Sequence, residues 1–225
     1  ACTTGQNNVG MGSNALGANT TASNNTAIGF SSLAANTTAV DNTSVGSQAL
    51  LANTTGASNT AIGRAALQAN TTGTQNTSVG TNALDANTIG SYNTALGVNA
   101  LGANVSGDQN AAVGQGALAL TTGSYNTGLG DSAGGSITSG DKNVHVGTAA
   151  GLNCTTADSQ VSIGYSTNSQ NIDGSITIGA NVSSASSSSI YITLGFGADR
   201  TYIQPGGSSW TGTSDLRLKE NIADH

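Results

Sequence analysis

Asn59-Thr60-Ala61-Ile62-Gly63-Arg64-Ala65-Ala66-Leu67-Gln68-Ala69-Asn70-Thr71-Thr72-Gly73-Thr74-Gln75 is one period of a pattern that begins again at Asn76. Its central glycine returns at Gly12, Gly29, Gly46, Gly63, Gly80, Gly97, Gly114, Gly130, Gly147, Gly164, Gly179 and Gly195. Each follows an apolar residue, from Met11 and Ile28 through Ile62 and Leu96 to Ile178 and Leu194. A side chain held in phase over so many repeats marks an ordered stack rather than a disordered, weakly charged chain. A repeat this short cannot bury its own apolar face, so its coils must stack into a quasi-one-dimensional solenoid. The expected fold is all-β: a parallel β-solenoid or β-roll of 17-residue period over residues 1–180, in about 11 coils.

Other columns hold the same phase. Asn8, Asn25, Asn42, Asn59, Asn76, Asn93, Asn110, Asn126 and Asn143 stand four residues before the glycine; Leu16, Leu33, Leu50, Leu67, Leu84, Leu101 and Leu118 stand four after it. Asn19, Asn36, Asn53, Asn70, Asn87 and Asn104 open an Asn-Thr-Thr-Gly corner. Stacked asparagines can bond to their neighbours above and below, and they tolerate the left-handed backbone of a corner. Thr-Ala-Ile is a β-prone run, and a second short strand is expected over Ala-Leu-x-Ala. Ile62 and Leu67 are five residues apart, so on a continuous strand they would face opposite sides. An outward leucine ladder is then expected, too long to leave in water, and its natural cover is another copy of the chain.

Only 7% of the 225 residues are charged and 4% are aromatic, and the net charge is −6. Arg64 and Lys142 are the sole basic residues before position 199, which leaves no basic stripe for nucleic acid or an anionic membrane surface. No apolar run approaches the roughly 20 residues of a membrane span, and the first residues given lack the basic and apolar regions expected of a signal peptide. Because Ala1 falls within the pattern, a fragment or processed product is expected. Cys2 and Cys154 lie too far apart along the stack to pair, and Cys154 reads as a small buried side chain. No paired carboxylates, Cys/His set or phosphate loop points to turnover of an external substrate, and no cofactor is expected. Asp41, Asp85, Asp108, Asp131, Asp141, Asp158 and Asp173 are read as sharing no column, which argues against a calcium-binding solenoid. His145 could meet its copies on a trimer axis and hold a metal, but with no second ligand it reads better as a lining residue.

The element Asn-Thr-Ala-Ile-Gly resembles the motif of trimeric autotransporter adhesin heads, in which three chains pack side by side. The fuller form, running on through Ala-Leu-x-Ala-Asn-Thr-Thr-Gly, is similar to the repeats that precede the chaperone of many phage tail fibres and tailspikes. Both resemblances imply an intertwined or side-by-side homotrimer.

Periodicity weakens after Gly164, and the run Ser183-Ser184-Ala185-Ser186-Ser187-Ser188-Ser189 leads into a segment that holds Tyr191, Phe196, Tyr202, Pro205 and Trp210. Residues 181–213 read as a short β-rich neck or cap that closes the open end of the solenoid. Ser214-Asp215-Leu216-Arg217-Leu218-Lys219-Glu220-Asn221-Ile222 closely resembles the start of the self-cleaving intramolecular chaperone domain at the C-terminus of phage endosialidases, tailspikes and neck appendages. That resemblance makes residues 214–225 the first part of a longer chaperone. It implies that Ser214 attacks the Thr213-Ser214 bond with Lys219 as its base, a pairing that serine chemistry allows. Without the rest of the chaperone, the segment is not expected to cleave itself. Read locally, the same residues also suit a helix start capped by Ser214.

The function expected is a structural, host-receptor-binding segment of a phage tail fibre or tailspike, located on the extracellular virion tail. Its partners would be its own copies and a cell-surface receptor such as a glycan, met by multivalent weak sites. Tyr191, Tyr202 and Trp210 are the receptor-binding candidates, although packing of the neck accounts for them as well. Two alternatives remain. One is a bacterial trimeric surface adhesin; the other is an ice-binding solenoid, suggested by the columns Thr26, Thr43, Thr60, Thr77, Thr94 and Thr20, Thr37, Thr54, Thr71.

Overall fold

The computed structural model describes residues 4–183, 192–196, 199–203 and 211–212, and no helix occurs among them. Ten strands have three residues each: β1 (Val9–Met11), β2 (Thr26–Ile28), β3 (Thr43–Val45), β4 (Thr60–Ile62), β5 (Thr77–Val79), β6 (Thr94–Leu96), β7 (Ala111–Val113), β8 (Thr127–Leu129), β9 (Val144–Val146) and β10 (Val161–Ile163). They are followed by β11 (Ile176–Ala180), β12 (Ile192–Phe196), β13 (Asp199–Ile203) and β14 (Thr211–Gly212). All lie in one sheet in chain order. β1 to β12 are parallel, with like positions paired: Thr60 lies beside Thr77 and Ile62 beside Val79. β13 and β14 reverse direction and continue the sheet antiparallel. The expected β-solenoid of 17-residue period is the observed fold.

Successive side chains of a strand point to opposite faces, so Ala61 is buried while Ile62 is 40% exposed and Thr60 is half-buried. The remainder of each coil departs from expectation. Ala-Leu-x-Ala forms neither a strand nor a helical turn but a succession of tight turns, in which alternate residues have positive φ: Gly63 at 135°, Ala65 at 57° and Leu67 at 51°. Its backbone bonds run both ways along the stack. The Ala65 N–H donates to the Ser47 carbonyl at 2.9 Å, and the Leu67 N–H donates to the Ala83 carbonyl at 3.0 Å.

This turn reverses the expected facing of the two large apolar columns. Leu33, Leu50, Leu67, Leu84, Leu101 and Leu118 are fully buried and form the core with the inward alanines. The residue before each glycine points outward instead. Opposite facing holds only along an extended strand, and here the chain bends at Gly63, so the five-residue spacing loses that meaning. A left-handed leucine costs about 1–2 kcal/mol, an amount offset by the roughly 1.5–3 kcal/mol from its burial. The glycine itself cannot be replaced cheaply, because a Cβ on Gly63 would collide with the carbonyl of Gly80 in the next coil.

Polar columns complete the interior. The backbone N–H of Asn42 donates to Oδ1 of Asn25 at 3.0 Å, and that of Asn59 to Oδ1 of Asn42 at 2.9 Å. Nδ2 of Asn42 donates onward to the Gly56 carbonyl. In the corner column, Nδ2 of Asn70 donates to Oδ1 of Asn53 at 2.8 Å and Nδ2 of Asn87 to Oδ1 of Asn70 at 2.9 Å, the amide ladder that the asparagine spacing predicts. Leu67→Ala is therefore expected to lower the unfolding free energy by about 2–5 kcal/mol through an unfilled cavity. Thr72→Ala, on the exposed corner, should change it by less than about 0.5 kcal/mol in the same denaturant titration.

Candidate functional site

The most extensive regular surface is the outer face of the sheet. It carries two adjacent ladders. One is the threonine column of β2 to β6, half-buried at Thr26, Thr43 and Thr60 and exposed at Thr77 and Thr94. The other is the apolar column, with Met11 at 65%, Ile62 at 40%, Leu96 at 47% and Leu129 at 47% exposure. Ala111, Val144, Val161 and Ile176 replace threonine in the later strands, so the face grows more apolar toward the C-terminus.

Several candidates from the sequence fall outside the described residues: Ser214, Lys219 and the Thr213-Ser214 bond, Tyr191, Trp210 and Cys2. Tyr202 lies on β13, its backbone paired with Thr193 of β12. Cys154 is buried as expected, and burial pushes its thiol up to about 12.

His145 does not face a neighbouring copy. It is fully buried inside its own coil, so the axial metal site is overturned. Gly134 and Gly151 take the places that leucine fills in earlier coils, and a Cβ on either would meet the imidazole. The ring thus occupies the space two leucines vacate. Neither ring nitrogen has a hydrogen-bond partner, and the hydroxyls of Ser162, Thr177 and Thr193, next in the same inward column, have none either. Burial holds the imidazole pKa down, at about 4.

The aspartates also require a correction. Asp108, Asp141, Asp158 and Asp173 do share a column, joined with Ser124 in one hydrogen-bonded ladder. The N–H of Asp108 donates to Ser124 Oγ at 3.0 Å, that of Ser124 to Asp141 Oδ1 at 2.6 Å, that of Asp141 to Asp158 Oδ1 at 2.8 Å, and that of Asp158 to Asp173 Oδ1 at 2.9 Å. The alignment is present in the linear sequence, since each of these aspartates stands six residues before its coil's glycine, Gly114, Gly147, Gly164 or Gly179, with Ser124 at the same place before Gly130. The described residues hold no group of three or more His, Cys, Asp or Glu side chains able to hold a metal ion, and no helix long and apolar enough to cross a membrane.

No protein-family model, curated protein or solved structure matches the chain.

The buried imidazole makes a pH prediction. The folded pKa of His145 is depressed below the unfolded value near 6.5, so between these values the unfolded chain binds the extra proton and stability falls as pH falls. Full protonation should remove about 3 kcal/mol. Thermal melts from pH 7 to pH 4 should show a declining midpoint, and His145→Leu should flatten that decline.

Proposed function

We propose that this chain is the shaft of an adhesive fibre: a homotrimer whose three sheets pack through their outer faces, displayed on an extracellular virion tail. The observation that carries this reading is the apolar ladder from Met11 to Leu194 at the third residue of each strand, exposed at Met11, Ile62, Leu96, Leu129, Ile163, Ile178 and Leu194 and half-buried at Ile28, Val45, Val79, Val113 and Val146. Single apolar residues on a surface need no explanation, but a contiguous stripe of them calls for a partner. Twelve parallel strands at about 4.8 Å each give that stripe a length of roughly 55 Å. A repeat whose copies are alike offers like surfaces to like chains, and cyclic closure buries all three stripes equivalently. The resemblance of Ser214–Ile222 to the phage chaperone start supports the tail-fibre setting over the alternative of a bacterial surface adhesin. In that setting the chaperone assists assembly and is then released at Thr213-Ser214.

A second reading has one observation in its favour. Thr26, Thr43, Thr60, Thr77 and Thr94 occupy five consecutive rungs beside Ile28, Val45, Ile62, Val79 and Leu96, a regular array of the kind an ice-binding surface requires. The two readings compete for one face, since a stripe buried between chains is closed to ice.

Sedimentation equilibrium is expected to give a trimer, and Ile62→Asp with Leu96→Asp to dissociate it, because each charge would be buried at an interface. A monomeric wild type that slows and shapes ice crystals would replace the fibre by the ice-binding reading. In the full-length chain, Ser214→Ala or Lys219→Ala should abolish cleavage while assembly persists, read by intact mass; a new terminus anywhere but Ser214 would discard the chaperone assignment.

A further inference from the structure

Tyr92 and Tyr125 break the pattern of their column. Both stand immediately before the buried asparagine of their coil, at a corner where other coils carry Asn7, Asn24, Ser58 or Gln75. Both are more than half exposed, at 55% and 53%. The Gln109 N–H donates to the Ser91 carbonyl, the Tyr125 N–H to the Asp108 carbonyl, and the Lys142 N–H to the Ser124 carbonyl, all at 3.0 Å. These bonds place Ser91-Tyr92, Asp108-Gln109, Ser124-Tyr125 and Asp141-Lys142 on consecutive rungs. The column residues share one backbone conformation, with φ of 61°, 58°, 62° and 60°, so their side chains leave the stack in a common direction. The edge therefore alternates aromatic rungs with carboxylate-bearing polar rungs. Its two tyrosines recur at two rungs, about 9.6 Å.

The Asp108 and Asp141 carboxylates are fixed in place. The Ser91 N–H donates to Oδ1 of Asp108 at 2.7 Å, and the Ser124 N–H to Oδ1 of Asp141 at 2.6 Å.

We infer that this edge binds a neutral, extended β-1,4-linked polysaccharide. In such a chain successive hexose rings are turned over by half a rotation, so the same ring face recurs at every second unit, as the tyrosines recur at every second rung. An aromatic face packs on the apolar face of a sugar ring while a polar tip stays wet. The intervening Gln109 amide and the Asp108 and Asp141 carboxylates accept and donate hydrogen bonds at the level of the hydroxyls. A protein strand docked along this edge would bring side chains to one face about every 6.7 Å, out of step with tyrosines about 9.6 Å apart. An anionic glycan would meet like charge from Asp108, Asp141 and Asp158, against which Lys142 is the one cation on these rungs. The inference rests on the adhesive-fibre reading and gives its receptor a chemical class.

Titration calorimetry of the full chain with cellohexaose and chitohexaose tests it, with α-1,4-linked maltohexaose for comparison. At least one β-linked hexasaccharide should bind and maltohexaose should not. Tyr92→Asn or Tyr125→Asn should each weaken binding about tenfold, and the double variant should abolish it. Asparagine is the residue this column carries at Asn7 and Asn24 with the same left-handed backbone, so these variants keep the fold. Tyr165→Asn, on the other side of the coil glycine, should leave binding unchanged. Binding of neither β-linked sugar, equal binding of maltohexaose, or full affinity in the double variant would overturn the inference. A trimer that adheres to bacterial cells equally well as the double variant would remove the tyrosine edge and leave the fibre standing. A monomer that binds the hexasaccharide would do the reverse.

Discussion

The asparagine four residues before each glycine is the link on which the stack depends. Its Oδ1 accepts the backbone N–H of the same residue one coil further on, and its Nδ2 donates to a corner carbonyl of that next coil. One buried amide thereby satisfies main-chain groups that neither the short strand nor the turns can reach. Buried backbone groups left without partners would cost about 1–3 kcal/mol each, and the arrangement repeats from Asn25 to Asn143. Because each amide spans two coils, a coil cannot form alone. Stability is then a property of neighbours, as it is for repeat proteins in general.

The same economy shapes the core. One leucine and a few alanines fill most coils, so the cross-section is small, and a ring on the inward strand position needs room from elsewhere. His145 obtains it from Gly134 and Gly151. Beyond it, the inward column turns to Ser162, Thr177 and Thr193, and the corner column turns from asparagine to Thr121, Ile137 and Cys154. Toward its C-terminal end the solenoid thus carries more polar groups on the inward strand position and fewer asparagines at this corner.

A thin core leaves most side chains on the outside, where repetition gives each a fixed address. Threonine and aliphatic ladders share the sheet face, and tyrosines alternate with acidic rungs along one corner. Such surfaces suit partners that are themselves periodic, whether other copies of the chain or a polymer. Many weak contacts at regular intervals then supply the affinity that a single pocket supplies in a compact domain.

The phase of Gly63, Ile62 and Asn59 along the chain was enough to determine a parallel solenoid, because a short period with one branched residue and one glycine leaves stacking as the sole way to bury anything. The asparagine ladders were legible for the same reason, since a buried amide in a repeated position must meet its own image. What the linear pattern could not decide was which large apolar residue faces inward. That depends on the bend at Gly63 and the left-handed backbone of Ala65 and Leu67, a choice enforced only when the Leu67 N–H finds Ala83 in the next coil and the Ala65 N–H finds Ser47 in the one before. The aspartate ladder was legible, since Asp108, Asp141, Asp158 and Asp173 each stand six residues before a column glycine; the structure adds the hydrogen bonds that join them through Ser124. Spacing along the chain determined the period; contacts between coils decided the faces.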